Sequence, residues 1–414
     1  MNASFEAPPA AAPEVFETEA PRGRAPEKQR LVSLDAFRGA IMLLMASSAL
    51  GIPQAAEHYP ESRFWEFLAH QTEHVAWAGC ALWDLIQPAF MFMVGVALPW
   101  SVANRRARGE PFGRIFGHAV WRSAALIALA VFLTSSWSSR TEWIFTNVLA
   151  QIGLGYIFLF LLAFARPRTQ WIAAGTILFL YWLAFALHPL PPAGLDWKSM
   201  GVPENWPHLA GFEAHWEKNF NFAATFDRWF LNLFPRESVF VGRPGGYQTL
   251  NFIPSLATMI FGLLAGQLLK SDLPAAAKLK RLVAAGIAGV ILGKAIDLFG
   301  LCPIVKRIWT PSWAIFSAGV VTLLLAGFFA VVECRGHKRW AFPLVVAGLN
   351  PITLYCLWQL LPGWVRGRIR AHFGQDIFAA FGEPFAPMLE RGAILFLFWL
   401  VLYWMYRRKI FLRI

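Results

Sequence analysis

Charged residues are scarce in this chain of 414 residues. They make up 15% of it, whereas an ordinary soluble domain carries roughly 25%. Hydrophobic residues reach 57%, with 37 Phe and 20 Trp. This balance excludes an ordinary soluble domain and indicates a polytopic membrane protein.

Other common features are missing as well. The cysteines do not show the close spacing of a thiolate metal site; they are Cys80, Cys302, Cys334 and Cys356. The chain has no GxGxxG or Walker-type phosphate loop. Residues 1–29 contain no apolar core, so we do not expect a cleavable signal peptide there. Because they are rich in Pro, Ala and Glu, we predict a disordered cytoplasmic tail.

Long apolar runs dominate the rest of the sequence. A run of about 20 apolar residues can cross a bilayer as a helix. Ten such runs are present, at roughly 34–52, 80–103, 117–138, 144–165, 170–188, 249–269, 280–300, 309–333, 340–361 and 389–407. The sequence therefore predicts an all-α integral membrane protein of about ten transmembrane helices. Residues 30–414 form its transmembrane domain, with an extracytoplasmic loop region at about 189–248.

Positive charge alternates between the loops. More than half of the 37 Lys and Arg residues lie in short loops on one side or near the two ends of the chain. Cytoplasmic loops are enriched in these residues, so we predict that both termini are cytoplasmic. The same distribution accounts for the net charge of +12 without a nucleic-acid partner.

The stretch from His74 to Gly95 carries polar groups at the start of an apolar run. Asp84 lies inside this run, and an ionised side chain in hydrocarbon costs about 2.5–3.5 kcal/mol. Such a group normally faces a bundle interior or a wet cavity, so we predict a working site here. Lys294 lies at a similar depth, and we expect it to pair with Asp84 or with Asp297.

A metal site is an alternative interpretation of the same region. His70, Glu73 and His74 form the H-x-x-E-H pattern of inverted zinc peptidases. On a continuous helix, Glu66, His70 and His74 would share one face. No further zinc ligand is identifiable, so we expect no metal, and a zinc peptidase remains the weaker hypothesis.

Two more groups of polar residues fall within predicted spans. Asp35 and Arg38 stand one turn apart at the cytoplasmic start of the first span, and Arg122 lies near the cytoplasmic end of the third. They either frame an opening for an anionic ligand or serve as helix-terminal charges and membrane anchors. Asn350 and Pro351 interrupt the ninth span, as a simple kink or as the wall of a wet cavity.

Several of these residues belong to a recognisable pattern. Residues 30–39, RLVSLDAFRG, resemble the opening motif of the heparan-α-glucosaminide N-acetyltransferase family. The stretches HVAWAG at 74–79 and DLIQPAFMFMVG at 84–95 are similar to its H-x-x-W-x-G and D-L-x-x-P-x-F-x-F-x-x-G motifs. Weaker similarity, including PIVKRIWTPS at 303–312, extends the resemblance over about residues 30–405.

The resemblance implies a transmembrane acetyltransferase. Acetyl-CoA from the cytoplasm would donate its acetyl group to an amino sugar or glycan on the far side. His74 matches the active-site histidine of the family, and we expect it to act as general base. The residues expected to support the cavity are Trp77, Asp84, Lys294 and Asn350. Those expected to bind the donor are Asp35, Arg38 and Arg122.

The spacing of His74 and Asp84 limits their relation. Ten residues of continuous helix would separate them by about 15 Å. We therefore expect no direct bond unless the chain bends before Cys80, which Gly79 permits, and we expect Asp84 to act through Lys294. The family's active-site asparagine falls at Ala49 in this chain, a departure that bears on the acceptor.

A transporter or flippase without covalent chemistry is the competing function, because polar groups within spans suit it equally. The expected partners are acetyl-CoA, the acceptor and the lipid bilayer. A homo-oligomer is compatible with the sequence. Since the family has many bacterial members, the expected location is a bacterial inner membrane.

Overall fold

A computed structural model describes residues 31–412 of the chain. The predicted tail at 1–29 lies outside these residues. Within the described range the chain forms fifteen α-helices joined by loops and single helical turns. In order they are α1 (Val32–Ala46), α2 (Ile52–Ala56), α3 (Arg63–Thr72), α4 (Ile86–Ala107), α5 (Phe112–Ser135), α6 (Val148–Leu162), α7 (Pro167–Ala186), α8 (Phe222–Phe230), α9 (Phe252–Lys270), α10 (Ala275–Leu298), α11 (Pro311–Phe329), α12 (Phe342–Leu349), α13 (Pro351–Leu360), α14 (Pro362–Phe373) and α15 (Ala386–Arg407).

The predicted all-α class is confirmed over the described residues. No β-strand forms among them, and one isolated antiparallel bridge joins Ala78 to Val305. Six helices are long and apolar enough to cross a membrane, or eight if each of two bent helix pairs counts as one span. The chain is therefore a multi-pass membrane protein.

The count of about ten spans is not confirmed. Every predicted run contains helix, but two of them do not qualify as spans by length and composition. The first is α6, which is apolar but has 15 residues. The second is α10, which is long enough but carries Lys280 and Arg281 near its start and Lys294 and Asp297 near its end.

Both bent pairs break at identifiable residues. The first bends by 47° between α1 and α2. Ser48, Ala49, Leu50 and Gly51 there all have positive φ, a conformation that costs non-glycine residues roughly 1–2 kcal/mol each. The Trp358 indole donates to the Ser48 hydroxyl at 2.9 Å, which helps to hold the break.

The second pair bends by 70° around Asn350, where Pro351 starts α13. The buried Asn350 amide donates to the carbonyl of Ile410 at 3.0 Å and accepts from the amide of Leu412 at 2.9 Å. These side-chain bonds tie the break to residues 410–412. Asn350 was predicted to support the His74 cavity, but both of its side-chain bonds go to this other segment.

Close helix packing fixes the position of α4. It packs along α9, and α1 packs in the same way along α12. A methyl group at Gly95 of α4 would overlap the backbone carbonyl of Met259, and one at Gly262 of α9 would overlap that of Phe92. Small residues let helix backbones approach in a membrane, where van der Waals contact drives association.

We predict that Gly95→Ala destabilises the protein by about 1–3 kcal/mol, because the added methyl group forces α4 away from α9. Thermal unfolding in detergent measures the effect. Gly117→Ala on α5 is the matched control, because a methyl group there meets open space. Equal melting temperatures for the wild type and Gly95→Ala would contradict the packing argument.

Candidate functional site

His74 and Asp84 are directly bonded. The His74 Nδ1 lies 2.7 Å from the Asp84 Oδ1, and the carboxyl side chain is 1% exposed whereas the imidazole is 38% exposed. A direct bond was expected only if the chain bends before Cys80, and it does bend there, because α3 ends at Thr72 and Gly79 turns with φ +115°. The expectation that Asp84 acts through Lys294 instead is wrong. The bend that Gly79 permits folds the chain back on itself.

The Asp84 carboxylate organises this bend. Its second oxygen accepts from the backbone amide of Ala81 at 3.0 Å and from that of Val75 at 3.4 Å. Asp84 lies in a single helical turn, Leu82–Leu85, immediately before α4. A carboxylate at this position also suits the positive end of the helix dipole.

Lys306 is the third member of the site, and sequence reasoning missed it. Its ammonium lies 3.3 Å from the Asp84 Oδ1 and 3.1 Å from the His74 Nδ1, and its side chain is 5% exposed. It comes from the loop that joins α10 to α11, 232 positions from His74. The available signal was the basic pair Lys306–Arg307 inside PIVKRIWTPS.

The Lys306 loop is held from both sides. The amide of Gly79 donates to the carbonyl of Ile304 at 2.9 Å, next to the bridge between Ala78 and Val305. The hydroxyl of Thr310 accepts from the amide of Val305 at 3.0 Å. Backbone pairing therefore fixes the ammonium beside the imidazole.

Lys294 pairs with one of its two expected partners. Its ammonium bonds Asp297, one turn away on α10, at 2.6 Å. Asp297 also accepts from the amide of Ile304 at 2.9 Å, so this pair supports the Lys306 loop. The partnership with Asp84 was wrong because Lys306, a cation from the adjoining loop, occupies that place.

Trp77 is buried, with 3% of its surface exposed. Its indole donates to the carbonyl of Trp216 at 3.1 Å, and its ring packs edge-on against Trp206. The residue expected to support the cavity therefore joins the His74 bend to the 189–248 segment. Trp77 belongs to a core that includes Phe185 and Val305.

The arrangement around His74 does not match the zinc-peptidase alternative. Glu66 and His70 lie on α3, but the helix ends before His74, so the three do not share a helical face. No group of three His, Cys, Asp or Glu residues suited to a metal occurs among residues 31–412. The ammonium of Lys306 next to the imidazole also opposes a metal cation there.

The residues expected to bind the donor lie in two different settings. Arg38 pairs with Asp35 at 3.6 Å and donates to the carbonyl of Gly348 on α12 at 3.2 Å. Arg122 on α5 stacks over the Tyr156 ring of α6, with 4.7 Å between the guanidinium carbon and the ring centre.

Known proteins resemble this chain in amino-acid sequence. No protein-family profile matches the chain. It is 25% identical over 393 residues to heparan-alpha-glucosaminide N-acetyltransferase of Mus musculus, covering 83% of this chain and 55% of that protein. For the Homo sapiens protein of the same name the identity is 23% over 433 residues, covering 93% of this chain and 60% of that protein.

This chain is similar to heparan-alpha-glucosaminide N-acetyltransferase. The relationship predicted from the motifs is therefore supported. The chain spans a little over half the length of these N-acetyltransferases.

The position where the N-acetyltransferase resemblance implied an asparagine lies in the break between α1 and α2. Ala49 is itself buried, and its neighbour Ser48 is held through its carbonyl by Arg391 at 2.5 Å. This segment packs on α15. At this position the chain therefore has a strained backbone and no amide side chain.

A buried polar cluster joins α6 and α8 to the start of α9. Asp227 on α8 is fully buried and accepts from the amide of Thr249 at 2.9 Å, while Gln151 donates to the carbonyl of Thr249 at 3.1 Å. Burial raises the pKa of Asp227 from its ordinary value of 3.8 to about 6. Its other oxygen has no hydrogen-bond partner among the described residues.

We predict that Asp227→Asn raises the melting temperature at pH 7.5 and changes it little at pH 4. The folded state holds the proton more tightly than the unfolded state, so this stabilisation is full below about pH 4 and lost as the pH rises through about 6. The variant should gain about 1–3 kcal/mol at pH 7.5. Exposed Asp272→Asn is the control, and an equal shift at both pH values would refute the assignment.

Proposed function

We propose that this protein is a transmembrane acetyltransferase. It takes an acetyl group from cytoplasmic acetyl-CoA and transfers it to an amino sugar or glycan on the opposite side of the membrane. The observation that carries the proposal is the bonded set of His74, Asp84 and Lys306 next to the start of the apolar helix α4. The similarity to N-acetyltransferases over most of the chain supports the reaction class.

The geometry suits general-base catalysis by His74. When Nδ1 carries the proton and donates a hydrogen bond to Asp84, Nε2 keeps a lone pair that can accept a proton. The acceptor's nitrogen or oxygen then bonds the acetyl carbon as its proton passes to Nε2. The carbon–sulfur bond breaks, and the leaving thiolate of CoA takes up that proton. The imidazole is partly exposed, so an acceptor can reach it.

The proposed orientation places both termini in the cytoplasm and His74 on the far side. The support is the excess of Lys and Arg in alternate short loops. With about ten spans, the donor would enter near Asp35, Arg38 and Arg122. CoA is polyanionic, so basic groups at that opening would concentrate it.

We predict that His74→Ala lowers acetyl transfer by about 10²–10⁴-fold while the protein remains folded and binds acetyl-CoA. Purified protein with labelled acetyl-CoA and a mixture of amino sugars provides the assay. His70→Ala is the control, because this exposed residue contacts Gln71 rather than Asp84.

Full transfer by a folded His74→Ala protein would contradict the assigned base. A wild type that moves unmodified sugar into vesicles without forming acetylated product would instead favour the transporter.

A further inference from the structure

A cavity of about 520 Å³ lies where α4 and α9 end, and we call it the α4–α9 cavity. Arg106, in the last turn of α4, and Lys270, the last residue of α9, both line it. Most of the remaining wall is apolar and includes Val102, Ala163 and Leu263. Both cationic side chains are exposed, so the cavity can be reached from outside the protein.

The α4–α9 cavity lies far from the His74 site. The helix α4 contains 22 residues and therefore measures about 33 Å from end to end. Asp84 is in the turn before its first residue, whereas Arg106 is in its last turn. Because the hydrocarbon core of a bilayer is about 30 Å thick, the cavity belongs to the opposite membrane face, at the level of the lipid headgroups.

Neither cation of the cavity pairs with a carboxylate among residues 31–412. The acid closest in sequence to the α4 cation is Glu110, which pairs with Arg105 at 2.9 Å and with Arg108 at 2.8 Å. Asp272 follows the end of α9 closely, but it is exposed and forms no ion pair within the same range. The cavity therefore keeps two positive charges that an anion can neutralise.

The polar side chains of the cavity retain donors for a ligand. The Arg106 guanidinium lies over the Phe164 ring, 4.6 Å from its centre, and this contact through the face leaves its N–H groups available. The Lys270 ammonium donates to the carbonyl of Pro99 at 3.2 Å and has further N–H groups. The Gln267 side chain also lines the cavity and forms no hydrogen bond in the described part of the chain. Phosphate oxygens accept well from such groups.

The helix ends offset this positive charge only in part. The C-terminus of a helix carries roughly half an elementary negative charge, and α4 and α9 both end at the cavity. Arg106 and Lys270 each carry a full positive charge. A third cation is close by, because the Lys278 ammonium donates to the carbonyl of Leu269 at 2.8 Å. Net positive charge therefore remains at this point.

We propose that the α4–α9 cavity binds an anionic phospholipid. Arg106 and Lys270 bind its phosphate, Gln267 donates to the phosphate or to an ester carbonyl, and the start of an acyl chain lies against the apolar wall. Basic pockets between membrane helices bind headgroups of this kind. A soluble phosphate would use the polar side chains and leave the apolar wall in water, so a lipid suits the whole cavity better. The inference does not depend on the proposed acetyl transfer.

The test measures lipid binding to the full-length protein in detergent by native mass spectrometry, with thermal unfolding as a second measurement. It compares phosphatidylglycerol with phosphatidylcholine that has the same acyl chains, so the lipids differ in net charge. We expect phosphatidylglycerol to bind about 10–30-fold more tightly, the effect of two basic residues at a membrane surface. Its additional stabilisation against heat should shrink in high salt, because the contact is electrostatic and exposed.

Variants assign the preference to the cavity. Arg106→Gln combined with Lys270→Gln should reduce it to below about threefold. Arg166→Gln combined with Arg168→Gln is the matched control, because it removes the same charge from exposed residues at the start of α7 that do not line the cavity. If the first double variant does not fold, Arg106→Gln alone decides the question with a smaller expected loss.

A further variant tests the apolar wall. Ala163→Phe adds a ring to the cavity without changing its charge, so it should weaken the binding of both lipids. Glycerol 3-phosphate, which has the phosphate but no acyl chain, should not raise the melting temperature of the wild type. Equal stabilisation by glycerol 3-phosphate and by phosphatidylglycerol would show that the apolar wall is not used and would contradict a lipid site.

Equal affinities of the wild type for the two lipids, or an unchanged preference in folded Arg106→Gln with Lys270→Gln, would overturn the proposal. Displacement of bound phosphatidylglycerol by acetyl-CoA would assign the cavity to the donor and would overturn it as well. A protein that keeps the lipid preference but transfers no acetyl group would support the lipid site and count against the proposed function alone.

Discussion

The need to neutralise one buried carboxylate organises this end of the molecule. Asp84 lies almost fully buried at the start of a membrane helix, where an ionised group without partners costs several kcal/mol. It is satisfied by a cation, an imidazole and two backbone amides. Three separate pieces of chain, the His74 bend, the Lys306 loop and the start of α4, must therefore meet at one point.

Contacts elsewhere in the fold hold these three pieces of chain in place. Close packing through Gly95 and Gly262 fixes α4, which follows the Asp84 turn. Lys294 and Asp297 at the end of α10 hold the loop that carries Lys306. Trp77 joins the bend to the 189–248 segment. Membrane packing and polar pairing thus determine the position of the imidazole together.

Local pattern was sufficient to predict helix in each long apolar run, because such a run can satisfy its backbone groups in a membrane only as a helix. The same contrast predicted His74 and Asp84 as site residues, since polar groups are conspicuous in an apolar run. Their direct bond was expected only for a chain that bends at Gly79, because a continuous helix would separate them by about 15 Å. Lys306 was missed because its place depends on a loop 232 positions away, which no local pattern encodes. Lys294 had a suitable depth, but its one-turn neighbour Asp297 was the nearer partner.

The central structural claim is that Asp84 and Lys306 neutralise each other, and a double-mutant cycle on unfolding in detergent tests it most directly. Asp84→Asn and Lys306→Met should each destabilise the protein, because each leaves a buried charge without its partner. The double variant should be more stable than the sum of the two losses predicts, by at least about 1 kcal/mol. Losses that simply add would show that the two charges do not depend on each other and would contradict the account.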